Sequence, residues 1–242
     1  MPGTIKIQDT LNWVAAFIVQ RPTTGVNNIA NEPGLTTAAK IIQTITAAPF
    51  KWAWNRAEAS LTCTAPANNV GVTDYQKNLA DFGFLEKATI SGGGLNGPVE
   101  IEVYQILAQD VNPDQVQKIA PILDDSGGNI TFRLMPAPLQ AYTVTLTYQK
   151  APQLPAGVND FWTPIPDKYA FLYEQAMLAH LQGMYSPQLY LANMELFFRQ
   201  LVGAAEGLSE TEKNIFLEDK LRDLRTEANA VIGARRAKES RG

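Results

Sequence analysis

The stretch NITFRLMPAPLQAYTVTLTYQK, residues 129–150, carries the clearest structural pattern in this chain. Its first part alternates apolar and polar residues and then reaches a proline-rich turn at residues 135–138, which predicts a strand followed by a turn. A period of two with one apolar face is typical of a half-buried antiparallel sheet. The second part predicts another such strand, with threonines on one face and, on the other, Tyr142, Val144, Leu146 and Tyr148.

The sequence FWTPIPD, residues 161–167, follows this predicted sheet. Proline fixes its own φ angle, lacks an amide hydrogen and disfavours helix in the residue before it. The two prolines therefore predict that helix begins only at Asp167, where the chain returns from a β-rich domain to a helical one. We predict a rigid hinge between these domains, formed by Trp162, Pro164, Pro166 and Asp167.

The periodicity of apolar residues changes along the chain. Helical spacing marks two N-terminal segments that end at Pro22 and Pro49, short alternating runs follow, and helical spacing returns after Pro166. We therefore predict an α+β fold, in which a helical domain built from N- and C-terminal helices carries an inserted antiparallel β-sandwich-like domain. The predicted segments are the first part of the helical domain, the β domain, the second part of the helical domain, and a C-terminal helix with a basic tail: residues 1–50, 51–160, 161–208 and 209–242.

The C-terminal segment has a character of its own. Ser209 and Glu212 have the spacing of a capping box, which predicts the start of a helix. Apolar residues then recur at spacings of four and three, as in the narrow seam of a coiled coil. Residues 213–242 hold 8 basic and 5 acidic side chains, whereas residues 1–212 hold 12 and 19. The pattern fits an interaction segment, and it also fits a solvated helix with a basic tip.

The composition argues against several functions. The net charge of −4 disfavours a protein that grips nucleic acid by neutralising phosphates. No apolar stretch is long enough to predict a membrane span, and the N-terminus lacks the pattern of a secretory signal. The single cysteine, Cys63, excludes an internal disulfide and favours assembly in a reducing cytoplasm.

Candidate groups for chemistry are few. His180 is the only histidine, so neither a triad with a second base nor a histidine-rich metal site can be built. We interpret it as a packing residue, with a lone general base as the alternative. Cys63 fits a small buried residue better than a reactive thiol. The glycine-rich residues 91–97 favour a hairpin loop over a phosphate loop, because a predicted strand rather than a helix follows them.

Two acidic patterns have functional alternatives. Glu100 and Glu102 lie on one face of a predicted strand and could form a glycosidase pair, but their polar surroundings favour a solvated face. Residues 124–129 resemble a calcium loop but lack its later glutamate, so we predict a tight turn. We therefore predict a protein that is not an enzyme and has no cofactor and no metal ligands.

The order of segments resembles that of head-to-tail adaptor proteins of tailed bacteriophages, the group that includes the tubular tail protein A of short-tailed phages. The resemblance lies in residues 129–180 and in four further blocks, at residues 7–13, 49–56, 205–212 and 214–217. It implies a virion structural protein that forms a ring under the portal and joins the capsid to the tail. DNA would pass through this ring without sequence-specific binding.

The resemblance also implies partners and a location. It implies a homo-oligomer, a dodecamer, that contacts the portal protein and the tail or nozzle and fibre proteins, with no membrane partner. The location would be the neck or tail of the virion, after assembly in the host cytoplasm. The adaptor's C-terminal segment docks on the portal in that family, which implicates Leu217, Leu221, Leu224, Arg225, Arg235 and Arg236.

Two other functions fit the same patterns. One is a carbohydrate-binding or cell-wall-degrading β module on a helical stalk. The other is a different neck component, such as a tail terminator.

Overall fold

The computed structural model describes residues 3–16, 33–65, 71–125, 127–183 and 186–239, without the side chains of residues 33, 123, 187 and 227–239. The chain divides into two compact units. The helical unit comprises Met1–Trp54 and Pro152–Gly242, and the β unit comprises Asn55–Ala151. The predicted α+β class is confirmed.

The helical unit contains five α-helices within the described residues. A short 3-10 turn at Asp167–Tyr169 precedes the third helix. The helices are α1 (Ile7–Ala15), α2 (Pro33–Thr46), α3 (Ala170–Gly183), α4 (Pro187–Ala204) and α5 (Glu210–Glu239).

Short-range signals set the starts of two of these helices. The Ser186 hydroxyl oxygen accepts a hydrogen bond from the Leu189 amide at 3.5 Å and so caps α4. The predicted capping box at α5 is confirmed: the Glu212 carboxylate accepts from the Ser209 amide at 2.8 Å, and the Ser209 hydroxyl accepts from the Glu212 amide at 3.3 Å.

One apolar core holds the helical unit together. It takes side chains from all five helices and from the segment before α3. Its largest fully buried side chains are aromatic, which gives each of them a large apolar area to bury. They are Phe50, Trp52, Trp162, Tyr173 and Phe197.

The β unit has nine strands among its described residues. Seven of them form one sheet in the order β1-β9-β3-β4-β6-β7-β2, and β5 pairs with β8. The strands are β1 (Arg56–Cys63), β2 (Asp74–Asn78), β3 (Phe82–Gly92), β4 (Val99–Val103), β5 (Pro113–Asp114), β6 (Lys118–Asp124), β7 (Asn129–Met135), β8 (Ala137–Pro138) and β9 (Tyr142–Lys150).

The prediction of an antiparallel sandwich is wrong in two respects. The sheet is mixed, because β4 and β6 run parallel, with Glu102 opposite Lys118 and Val103 opposite Ile119. Parallel neighbours need a crossover of about a dozen residues or more, and residues 104–117 provide one. The strands also form one nearly closed sheet, whose end strands β1 and β2 contact each other, instead of two stacked sheets.

Residues 129–150 contain two interior strands of this sheet. β7 lies between β6 and β2, and β9 lies between β1 and β3, so the two strands are not neighbours. The predicted alternation on β9 is confirmed, because its tyrosines and aliphatic residues are buried while Thr143 is exposed and Thr145 is half-buried. Burial of one face against the inside of the sheet accounts for the period of two.

None of the helices in the described residues combines the length and the apolar character needed to cross a membrane.

Candidate functional site

The four residues of the predicted hinge all lie in the helical unit. Trp162 is fully buried, and its ring stacks on that of Tyr173 with the centroids 4.4 Å apart and the planes 6° apart. Its indole N–H donates to the Thr10 hydroxyl oxygen at 2.9 Å. Pro164 and Pro166 are half-buried on either side of the buried Ile165. Trp162 thus ties this segment to α1 and α3.

Asp167 binds the N-terminal segment of the chain. Its carboxylate accepts hydrogen bonds from the Thr4 amide at 2.8 and 2.9 Å, from the Thr4 hydroxyl at 2.6 Å and from the Ile5 amide at 3.3 Å. A side chain on Gly3 would approach the Ile165 carbonyl oxygen to 2.8 Å, so this close approach requires glycine. The Asp167 carboxylate therefore fixes the position of Thr4 and Ile5.

Replacing Asp167 with Asn is expected to lower the thermal midpoint near neutral pH and to matter much less in acid. The Thr4 hydroxyl and then the Thr4 and Ile5 amides hold the pKa of the Asp167 carboxyl below its ordinary value. A carboxyl with a lowered folded-state pKa stabilises the fold above its unfolded pKa, and this stabilisation is lost as the pH falls through the folded pKa. Thermal scans of both proteins from about pH 7 to about pH 2 check this.

The matched control is Asp219→Asn. Asp219 pairs with Arg222 at 2.8 Å on the exposed side of α5, and such surface pairs contribute little to stability. We expect the control to follow the original protein at every pH. The difference in thermal midpoint between the original protein and Asp167→Asn should shrink in acid. A difference that stayed constant down to the lowest pH would contradict the role of the carboxylate.

The predicted docking residues on α5 occupy different environments. Leu224 belongs to the helical core and is 6% exposed, while Leu217 and Leu221 are half-buried against the same core. Arg225 is exposed. The side chains of Arg235 and Arg236 lie outside the described residues, although α5 continues through both positions.

A cleft of about 430 Å³ lies beside this part of α5 in the helical unit. Its apolar wall includes the buried Met194, Phe198 and Leu224. Ionisable side chains line it too, and they come from three different helices: Lys40 from α2, His180 from α3, and Lys220 and Asp223 from α5. The sequence alone does not predict this cleft, because the residues that line it lie up to 184 positions apart.

His180 is half-buried in this cleft, with its ring 5.6 Å from that of Tyr190. Burial and, to a smaller extent, the charge of Lys40 lower the pKa of the imidazole below its ordinary value. A lowered pKa keeps the ring neutral near pH 7. This position agrees with the interpretation of His180 as a packing residue.

The other candidate groups occupy structural positions. Cys63 is buried on β1, and burial raises the pKa of its thiol to about 12, which disfavours the reactive thiolate. Residues 93–98 form the loop of the hairpin between β3 and β4, as predicted. The Asp125 carboxylate accepts from the Gly127 and Asn129 amides at 2.8 and 3.0 Å, which closes the predicted turn between β6 and β7.

Glu100 and Glu102 are both exposed. Glu100 pairs with Lys87 at 2.7 Å, and Glu102 accepts from the Tyr104 hydroxyl at 2.8 Å. A glycosidase acid needs an apolar pocket that raises its pKa, and exposed positions do not provide one. Across the described part of the chain, no group of three or more histidine, cysteine or acidic side chains is placed to hold a metal ion.

The crossover between β4 and β6 carries an exposed apolar strip on the β unit. Its centre is Ile106, which is 85% exposed, with Tyr104 and Val111 exposed on either side of it in the sequence. The crossover is held in place, because Arg133 donates to the Leu107 carbonyl at 3.2 Å and pairs with Asp74 at 2.8 Å. Residues 88–117 contain four acidic and no basic side chains, so the strip lies in an acidic stretch of the chain.

A comparison with protein families finds one match over most of the chain. The family model described as SU10 adaptor protein matches residues 14–225. No curated protein matches the sequence. The matched range includes α2, α3 and α4 and every strand of the β unit.

Proposed function

We propose a head-to-tail adaptor role for this chain, which belongs to the SU10 adaptor protein family. The family is one of bacteriophage structural adaptors, so the chain is a structural component of the virion, and the predicted resemblance is confirmed at that level. The nearer likeness to tubular tail protein A stays a prediction. In the role we propose, the protein forms a ring under the portal, joins the capsid to the tail and surrounds the path of the DNA.

A ring requires contacts between copies of the chain. The helical unit offers a surface for such contacts, because α4 exposes Leu189 and Leu196, which lie two helical turns apart on one face. Exposed apolar side chains that share a helix face are suited to packing against another subunit. Closed rings repeat one contact around an axis, so a modest interface is multiplied. We propose that the ring is a dodecamer.

The portal partner is proposed to bind at α5. This helix has 30 residues, which corresponds to a length of about 45 Å. Its leucines up to Leu224 pack on the helical core, and Arg225 is the first predicted docking residue with an exposed side chain. Residues 225–242 contain five basic and two acidic side chains. We therefore assign docking to Arg225 and the basic residues after it, Arg235 and Arg236 included, with the three leucines supporting the base of the helix.

The β unit is proposed to contact the tail, nozzle or fibre proteins. Its exposed side chains Tyr104, Ile106 and Val111 are apolar, which suits a partner that presents apolar side chains. In this arrangement the β unit is an insertion in the helical domain, and residues 161–167 anchor the returning chain in the helical core. We propose that the ring assembles in the host cytoplasm.

The passage of DNA is proposed to need no grip on the phosphates. The chain has a net charge of −4, and its excess of basic residues is confined to the C-terminal segment. An acidic wall repels the phosphate backbone and lowers non-specific binding, so DNA can move past it.

Mixing the protein with the purified portal ring of its phage is the direct test. We expect negative-stain images to show portal rings with added density at one end, and mass photometry to show a stoichiometric complex. Arg225→Glu is expected to weaken this binding about tenfold or more, because it places a negative charge where the portal is proposed to contact a positive one. A protein that never binds portal rings would overturn the proposal.

The control for that variant is Lys168→Glu. Lys168 is an exposed lysine of the helical unit that lies outside α4 and α5, so the control makes the same change of charge elsewhere on this unit. We expect it to bind the portal ring as the original protein does. Equal weakening by both variants would show that net charge, and not Arg225, controls the binding.

A further inference from the structure

The cleft beside α5 combines an apolar wall with uncompensated positive charge. Met194, Phe198 and Leu224 are buried residues that line it, and Phe216 adds a half-buried ring. Lys40 is exposed and Lys220 is half-buried. A concave apolar surface with a few charged groups at its border is typical of a site that receives a side chain of a partner.

Both lysines are available to an acidic group. Of the side chains that the structure describes, none forms an ion pair with Lys40 or Lys220. The Lys220 ammonium lies 5.8 Å from the centre of the Phe216 ring, so it is held above an aromatic surface. With His180 neutral, the described charged side chains that line this cleft are Lys40, Lys220 and Asp223, and together they carry one net positive charge.

The cleft adjoins the helix that we propose to dock on the portal. Leu224 lines it, and the next residue is the exposed Arg225. Helical spacing places Arg225 about 140° around the axis from Lys220, so a partner that contacted both Arg225 and the cleft would wrap around α5.

We propose that this cleft receives a segment of the portal protein in which a carboxylate side chain lies next to an apolar or aromatic one. The apolar side chain covers Met194, Phe198 and Leu224, and the carboxylate pairs with Lys40 or Lys220. The segment needs a carboxylate because the described charges of the cleft sum to a positive value. It needs an apolar side chain because the wall of the cleft is apolar. The inference rests on the proposed adaptor function, whose partner it specifies.

The test compares the original protein with a variant carrying Lys40→Glu and Lys220→Glu. The probe is the purified portal ring, and the measurement is its dissociation constant by biolayer interferometry. We expect the double variant to bind about tenfold more weakly or worse, because like charges would then face each other. Lys168→Glu changes an exposed lysine of the same unit outside the cleft, and we expect it to bind normally. The thermal midpoints of all three proteins should be equal. A loss of binding then reflects the changed charges and not a loss of folding.

A second measurement identifies the chemistry of the contact. A carbodiimide joins a carboxylate to a lysine amine as an amide without adding atoms, so it captures only groups already in contact. Mass spectrometry of the crosslinked complex should find Lys40 or Lys220 joined to an aspartate or glutamate of the portal protein.

The outcomes separate the two proposals. An original protein that does not bind portal rings overturns both of them. Binding that is equal for the original protein and the double variant overturns the cleft proposal and leaves the adaptor function standing. Crosslinks from Lys40 or Lys220 to another copy of this chain would identify a second copy as the occupant and also overturn it.

Discussion

Trp162→Ala is expected to lower the free energy of unfolding by about 3–5 kcal/mol, the range for removing a large buried aromatic side chain. Trp162 has no exposed surface, and its ring stacks on Tyr173 at 4.4 Å. The variant also removes the indole N–H, which donates a hydrogen bond to the Thr10 hydroxyl oxygen at 2.9 Å. Urea unfolding followed by circular dichroism measures the change.

Two further variants separate the contributions of ring packing and of the hydrogen bond to this loss of stability. Trp162→Phe keeps an aromatic ring against Tyr173 but loses the hydrogen bond, so we expect a smaller loss of about 1–2 kcal/mol. Phe161→Ala changes the neighbouring aromatic residue, which is 45% exposed, and should cost less than about 1 kcal/mol. A Trp162→Ala protein as stable as Phe161→Ala would contradict the packing role of this segment.

Leu224→Ala is expected to lower the free energy of unfolding by about 2–4 kcal/mol, because Leu224 packs in the helical core. Arg225→Ala, one residue further along α5, should change stability by less than about 0.5 kcal/mol, since its side chain is exposed. Denaturant unfolding measures the stability of both variants, and binding to the portal ring measures their function.

The two variants should separate folding from docking. We expect Arg225→Ala to weaken binding to the portal ring without loss of stability. We expect Leu224→Ala to lower stability and also to weaken binding, because Leu224 packs in the core and lines the proposed docking cleft. A Leu224→Ala protein as stable as the original would show that this leucine does not contribute to the core.

Several local features could be predicted from a few neighbouring residues. The capping box of Ser209 and Glu212 closes within four positions, so its two residue types and their spacing are enough to predict it. The buried face of β9 follows from the period of two, because a strand that buries one face must repeat at that interval. The turn at Asp125 and the hairpin loop at residues 93–98 likewise depend on residues close in the sequence.

The candidate site could be predicted only in part. Arg225 has the exposed position that a docking residue needs, but the leucine pattern that identified the docking segment also serves the core of the chain itself. A coiled-coil seam and a helix packed on its own domain use the same spacing, so the sequence pattern alone does not separate them. The cleft has no sequence signature, because Lys40, His180 and Lys220 come from three helices.

The sequence by itself determined the α+β class, the capping box of α5 and the alternation of the strands, because each depends on hydrogen bonds or burial within a few residues. Only the tertiary structure decided the parallel pairing of β4 with β6, the hold of Asp167 on Thr4 and the cleft beside α5. Thr4 and Asp167 lie 163 positions apart. Such contacts form only when burial and hydrogen bonding across the whole unit offset the entropy of closing a long loop, and no short stretch of sequence encodes that balance.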